Sequence, residues 1–185
     1  KNKDIVKKKN ITAVVTTGPT KEYLDPVRYI SNESSGKQGY EVALALSKMG
    51  VKTTLVAGPS KIQFSKDIKV KNVVSGDQMM NEIKKTLPVD IAVCVAAISD
   101  FKPKKIHKNK IKKEEGVFSF IEFEKNLDIL SFLGKNNKSR PKIVVGFSAE
   151  TEDLINNSLK KLKNKYCDLI IANDVSKKNL GFNSD

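Results

Sequence analysis

Between Thr16 and Gly39 the chain reads TTGPTKEYLDPVRYISNESSGKQG, with a strand-like run before it and a helix-like run after it. Gly36 and Gly39 open that helix. Bare backbone N–H groups at such a helix start, helped by the helix dipole, suit an anion such as a phosphate. Equally, the two glycines can serve only to let the helix pack closely on the sheet. Asp100 ends another apolar run, where a carboxylate can accept hydrogen bonds from a base amino group or a ribose hydroxyl, or can simply close a turn. Lys102 to Lys113 form a dense basic loop, suited to neutralising a polyphosphate as a leaving group departs, or to lying in solvent. Lys161 and Lys165 stand four apart on a helix and share a face, which can meet a phosphate chain or stay wet.

The familiar phosphate motifs do not fit. A Walker A loop needs Gly, four residues, then Gly-Lys-Ser/Thr. Here Gln38 follows Gly36-Lys37, and Ser31 stands where the first Gly belongs. A dinucleotide fingerprint needs a tight Gly-x-Gly-x-x-Gly turn and an acid ending the second strand. Here 17 residues separate Gly18 from Gly36, and the second strand ends LVAGP. That argues against NAD.

The elements that must position these groups are well marked. ITAVVTTG (11–18), VKTTLVAGP (51–59), IKVKNVVS (68–75), DIAVCVAAISD (90–100), VFSFIEFE (117–124), PKIVVGFSAE (141–150) and DLIIANDVS (168–176) read as strands. Helices are expected over 36–50, capped by Ser34 or Ser35, stopped by Gly50 and with Val42, Ala45, Leu46 and Met49 on one face; and over 76–88, 126–136 and 151–167. Alternating strands and helices define a single α/β domain, a doubly wound, mostly parallel Rossmann-like sheet with helices on both faces. Its ligands belong beyond the C-terminal strand ends, which are small, polar or Gly-containing throughout.

Composition bounds the rest. The 185 residues carry a net charge of +13, from 34 basic and 21 acidic side chains, and 39% are hydrophobic. Arg28 and Arg140 are the only arginines, and Trp is absent. Nucleic-acid readers favour Arg forks and aromatic stacking rows, so nucleic acid is not expected as a partner. No apolar run is long enough to span a membrane. With two cysteines, Cys94 and Cys167, and a lone His107, neither a disulfide framework nor a protein-held metal site is expected; reduced thiols in a cytoplasmic protein are. Residues 1–10 read as a linker or cut end, and 11–185 as one domain.

Five segments stand in a familiar order: GPTKEYLDPVRYISNESSGKQG, AAISDFKPKK followed by KIKK, KNLDIL, GFSAET, and ANDVS followed by GFNSD. Together they resemble the phosphopantothenate–cysteine ligases of coenzyme A biosynthesis, over residues 11–185. In bacteria such a ligase is commonly the C-terminal half of a bifunctional protein whose other half is a flavin-dependent decarboxylase, which would hold FMN outside this chain. The resemblance implies that CTP, with Mg²⁺, activates the carboxylate of 4′-phosphopantothenate as an acyl-cytidylate, releasing pyrophosphate. The cysteine amine then displaces CMP. An ATP-using version is the alternative. It further implies a homodimer.

The same resemblance implies site residues. Asn32 matches an Asn that contacts the acyl intermediate and completes the second step, and Lys110 a Lys of the cytidylation step. Val95, Ala96, Ala97 and Asp100 match a nucleotide-binding strand end, and Ala97 also faces the substrate. Leu127, Asp128, Ile129 and Leu130 match the segment framing the cytosine, with Leu127 where many members have Pro. Phe147, Lys161 and Lys165 match further nucleotide contacts. Arg28, with Gly36 and Gly39, falls to phosphopantothenate, Arg28 reaching it across the dimer. Members continue beyond GFNSD, so a C-terminal segment is expected to complete the sheet and dimer.

Overall fold

The computed structural model describes residues 10–112, 121–136 and 138–176. The expected linker therefore lies almost wholly outside the described residues. So do 117–120 of the VFSFIEFE strand, part of the basic loop at Lys113, and the GFNSD end.

Six strands make the central sheet. β1 (Thr12–Thr17) lies between β4 (Lys52–Ala57) and β6 (Ile91–Cys94); β5 (Lys69–Asn72) flanks β4, while β9 (Ile143–Glu150) and β10 (Leu169–Asp174) extend the β6 side. Every pairing is parallel. Across the sheet the order β5-β4-β1-β6-β9-β10 corresponds to 3-2-1-4-5-6, so the winding reverses between β1 and β6. A crevice opens at such a reversal.

The run AVV shows why this sheet is two-faced. Val14 packs into a cluster with Val56, Met79, Ile83, Leu133 and Val144, whereas Val15 packs on the opposite face with Ala43, Leu55, Val93 and Val145. Successive strand side chains alternate faces. α2 (Gly76–Thr86) and α3 (Ile129–Lys135) cover the first face, with Leu162 of α4 (Leu154–Lys165) beside them; α1 (Lys37–Lys48) covers the second.

Two small antiparallel pairs decorate the carboxyl side. β2 (Lys21–Tyr23) pairs with β3 (Tyr29–Ser31) inside the long loop after β1, and β7 (Phe101–Pro103) with β8 (Phe123–Lys125) after β6.

Three expectations need correction. Neither Ser34 nor Ser35 caps α1: the cap is Gly36, in the left-handed region at φ 80°, and the Ser35 hydroxyl instead accepts from the Lys37 N–H at 3.3 Å. The buried face of α1 runs through Gly39 and Ala43; Ala45 is exposed and Met49 is 78% exposed. Finally, the strand expected over 90–100 ends at Cys94, because the next backbone groups turn to the end of β1. The Val95 N–H donates to the Thr16 carbonyl at 3.3 Å, the Ala96 N–H to the Thr16 hydroxyl at 3.2 Å, and the Ala97 N–H to the Gly18 carbonyl at 3.0 Å.

Candidate functional site

That turn builds the site. Tied to Thr16 and Gly18, residues 95–97 separate two adjoining hollows beyond the carboxyl ends of the strands. The larger, about 1160 Å³, is bounded by residues 32–39, the Val95–Ala97 turn, the end of β9 and Asn173 and Asp174 of β10. The smaller, about 460 Å³, lies between residues 98–101, the segment Lys125–Leu130 and the inner face of α4. Cys94, Ala96, Ile98, Asp100, Phe147 and Lys161 line both.

The larger hollow receives the start of α1. Its cap, Gly36, has no side chain to offer, and the Ser35 hydroxyl takes the Lys37 N–H. The Gly36 carbonyl is fastened by the Thr17 hydroxyl at 2.6 Å, and the Ser35 carbonyl by the Ser60 hydroxyl at 2.8 Å. A Cβ on Gly39 would fall 2.4 Å from the Thr17 hydroxyl oxygen, so Gly39 lets the helix approach β1 at backbone distance. Positive φ at Gly36 and close packing at Gly39 explain both glycines without a ligand. Lys37, Gln38 and Gly39, the first residues of the helix, line the hollow, and a helix start favours an anion there. Asn32 and Ala97 line this hollow too, with Asn32 exposed.

The smaller hollow is basic on one wall. The Lys161 ammonium donates to the Phe147 carbonyl at 2.8 Å, and Lys165 pairs with the carboxylate of Asp128. Asp128 is also the N-cap of α3, accepting from the Ser131 N–H at 2.8 Å. Burial pushes the Asp128 carboxyl up, but the hydrogen bonds from Lys165 and Ser131 outweigh it and hold the group below its usual range. Leu127, Ile129 and Leu130 complete that wall. Burial pushes the Cys94 thiol up to about 12, so it is no nucleophile near neutrality.

Of the residues singled out from the sequence, the two hollows gather Asn32, Gly36, Gly39, Val95, Ala96, Ala97, Asp100, Leu127–Leu130, Phe147, Lys161 and Lys165. Arg28 and Lys110 line neither. Arg28 is half-buried and bound to Asp25, and Lys110 is exposed. Lys102, read as part of a basic loop, belongs to β7 and is engaged by Asp77 at 2.9 Å. Asn126 escaped the sequence reading. Its side chain donates to the Ser99 carbonyl at 3.0 Å and its N–H to the Asp100 carbonyl at 2.8 Å, joining the two walls of the smaller hollow. An Asn just before an apolar helix start was its one visible signal.

A doubly wound parallel sheet whose winding reverses at a two-chambered, partly basic crevice defines a Rossmann-like α/β domain. The chain belongs to the family described as the DNA/pantothenate metabolism flavoprotein C-terminal domain, whose profile matches residues 8–185. It is similar to the coenzyme A biosynthesis bifunctional protein CoaBC of Bacillus subtilis (strain 168), 38% identical over 174 residues, covering 93% of this chain and 42% of that protein. The corresponding protein of Escherichia coli (strain K12) is 38% identical over 180 residues, covering 96% and 44%. The chain thus spans less than half the length of these relatives. In three dimensions it resembles the crystal structure of the C-terminal domain of a coenzyme A biosynthesis bifunctional protein CoaBC, with a TM-score of 0.77 and 33% identity over 90% of this chain and 78% of that one. Among the described residues no helix is long and apolar enough to cross a membrane.

Proposed function

We propose that this domain is a phosphopantothenate–cysteine ligase that activates its acid with CTP. The observation that carries the reading is the pair of hollows meeting at Ala96, Asp100, Phe147 and Lys161. One chamber has the basic wall a nucleotide needs; the other has a helix start and an amide suited to a phosphorylated acyl substrate. Family membership supports the same reading.

In the first step a phosphopantothenate carboxylate oxygen attacks the α-phosphorus of CTP. The new O–P bond forms as the bond to pyrophosphate breaks. Lys161 and Lys165 offset phosphate charge along the wall, Asp100 receives hydrogen bonds from the nucleoside, and residues 127–130 frame the base. Lys110 neutralises charge on the departing pyrophosphate, a task suited to a compact point charge. In the second step the cysteine amine attacks the acyl carbonyl, loses a proton, and CMP leaves with the former carboxylate oxygen. The Asn32 amide donates to the carbonyl oxygen as it becomes an oxyanion. Gly36 and Gly39, with the helix start they shape, receive the substrate phosphate.

Among the described residues no group of three His, Cys, Asp or Glu converges. Mg²⁺ would therefore ride on the triphosphate oxygens and water. FMN belongs to the decarboxylase half of the bifunctional protein. A cytoplasmic homodimer completes the reading. Ile143, Leu169 and Ile171, exposed by 45%, 51% and 38% on β9 and β10, fit a face that further protein covers.

The test is pyrophosphate release from 4′-phosphopantothenate and Mg²⁺ with CTP or ATP, with and without cysteine. CTP-dependent release, and amide only when cysteine is added, supports the proposal. Release with ATP alone makes it the ATP-using ligase, and release with neither counts against both.

A further inference from the structure

Of the 34 basic residues in this chain only Arg28 and Arg140 are arginines, and Arg140 lines neither hollow. Its guanidinium sits where the carboxyl ends of α3 and α4 converge. Nε donates to the Gly134 carbonyl at 3.0 Å and Nη1 to the Pro141 carbonyl at 2.9 Å. Nη2 donates to the Tyr166 carbonyl at 2.9 Å and to the two carboxylate oxygens of Asp168 at 3.0 and 2.9 Å. Gly134 belongs to the last turn of α3, and Tyr166 is the C-cap of α4. Asp168 is tied in turn to β9: it accepts from the Val144 N–H at 2.7 Å, and its own N–H donates to the Val144 carbonyl at 2.8 Å. One side chain thus joins two helix ends and a strand.

The contact it closes is backbone on backbone. A Cβ on Gly134 would fall 2.0 Å from the Lys165 carbonyl oxygen and 2.8 Å from that of Tyr166. Two helix carboxyl ends meeting in this way bring like partial charges together. The guanidinium offsets them and answers an open carbonyl at each end. A planar fork can meet three carbonyls and a carboxylate at once, whereas a Lys ammonium, a point charge, cannot. The Arg140–Asp168 pair is partly exposed, 30% and 42%, so it adds little to stability as an ion pair. What it fixes is position. The Lys165 backbone lies against the last turn of α3, while its side chain reaches Asp128 at the N-cap. Any slide of α4 along α3 moves that ammonium relative to the wall of the smaller hollow, where Asp128, Ile129, Leu130, Lys161 and Lys165 stand together.

We propose that Arg140 is a positioning residue of the nucleotide chamber: by tying the converging ends of α3 and α4 to each other and to β9, it sets Lys165 on the chamber wall. The proposal rests on the ligase reading above. Arg140 acts through Lys165 and touches no reacting atom.

The experiment uses the full-length protein that carries this chain, with Arg140→Lys and Asp168→Asn. Arg140→Lys keeps the positive charge and gives up the fork. Asp168→Asn leaves the three carbonyl contacts in place, so it carries the test should Arg140→Lys not fold. CTP affinity is read by calorimetry, and the KM for phosphopantothenate at saturating CTP. Arg140→Lys should weaken CTP by roughly tenfold or more, as small misplacements of a binding group do. Asp168→Asn should weaken it by a smaller factor. The KM for phosphopantothenate should stay within about twofold in both. In a Lys165→Met background, Arg140→Lys should add less than about threefold, because both changes remove the same aid.

Unchanged CTP affinity in folded Arg140→Lys, or in Asp168→Asn where that alone folds, overturns the proposal. So does a matching rise in the phosphopantothenate KM, which marks a general loosening of the fold, or an equal fold-loss with and without Lys165. If the parent protein binds neither CTP nor ATP, the ligase reading fails. The clasp is then judged by amide hydrogen exchange across 127–131 and 161–167, and exchange there that the folded variant leaves unaltered overturns it.

Discussion

The Thr17 hydroxyl donates to the Gly36 carbonyl at 2.6 Å, fastening the last residue of β1 to the cap of α1. The same hydroxyl would collide with any side chain at Gly39. One threonine therefore sets both how the loop turns into the helix and how closely the helix lies on the sheet. Gly39→Ala should destabilise the fold by about 1–3 kcal/mol, the usual cost of overpacking. The urea midpoint reads this directly. A midpoint that does not move would mean the contact relaxes freely.

Lys165 reaches from the last turn of α4 to Asp128 at the start of α3, across the smaller hollow. Lys165→Met leaves Asp128 without that cation and strips charge from the wall. CTP affinity measured by calorimetry should fall roughly tenfold or more, the scale of one charge-assisted hydrogen bond. Unaltered affinity would remove Lys165 from the nucleotide site.

Asn32 lines only the larger of the two hollows. Asn32→Ala should leave pyrophosphate release nearly intact while amide formation drops by about 10²–10³, the loss seen when an oxyanion donor is removed. Acyl nucleotide would then accumulate in a quenched reaction. Equal loss in both steps would speak for a binding role instead.

Asp90 sits at the opposite, amino-terminal edge of the sheet. The Lys142 ammonium at 2.8 Å and the Thr12 N–H and hydroxyl, each at 3.0 Å, hold its carboxyl down at about 2. This lies below the unfolded value of about 3.9. Its contribution is therefore complete above roughly pH 4 and fades as pH falls through the folded value. Asp90→Asn should be less stable than the parent at pH 7, and the gap should narrow by pH 3. Urea unfolding at both pH values checks this, and a gap that stays constant would contradict it.

The sheet was legible because most of its strands are short runs rich in Val, Ile and Thr. The end of β6 was not, because the residues AVCVAAI stay apolar past the point where the Thr16 hydroxyl draws the backbone aside. The cap of α1 was misread for a similar reason. Ser35 has the right side chain, but it spends its hydroxyl on the Lys37 N–H and leaves Gly36 to make the turn. The rotation of α1 depends on Gly39 meeting Thr17, a contact that helical periodicity does not encode. Within the site, the Gly-opened helix, Asp100 and the paired lysines were visible as residue types at plausible strand ends. The clasp of Arg140 on the ends of α3 and α4 was not, because Tyr166 and Asp168 lie 26 and 28 residues further along the chain.

Carboxylate activation by a nucleotidyl group is the centre of this account. It is tested most directly by following oxygen. With 4′-phosphopantothenate labelled in its carboxylate with ¹⁸O, CTP, Mg²⁺ and cysteine, one labelled oxygen should appear in the phosphate of CMP, seen by mass spectrometry. Label in inorganic phosphate instead, or amide formed with unlabelled CMP, would contradict an acyl-cytidylate.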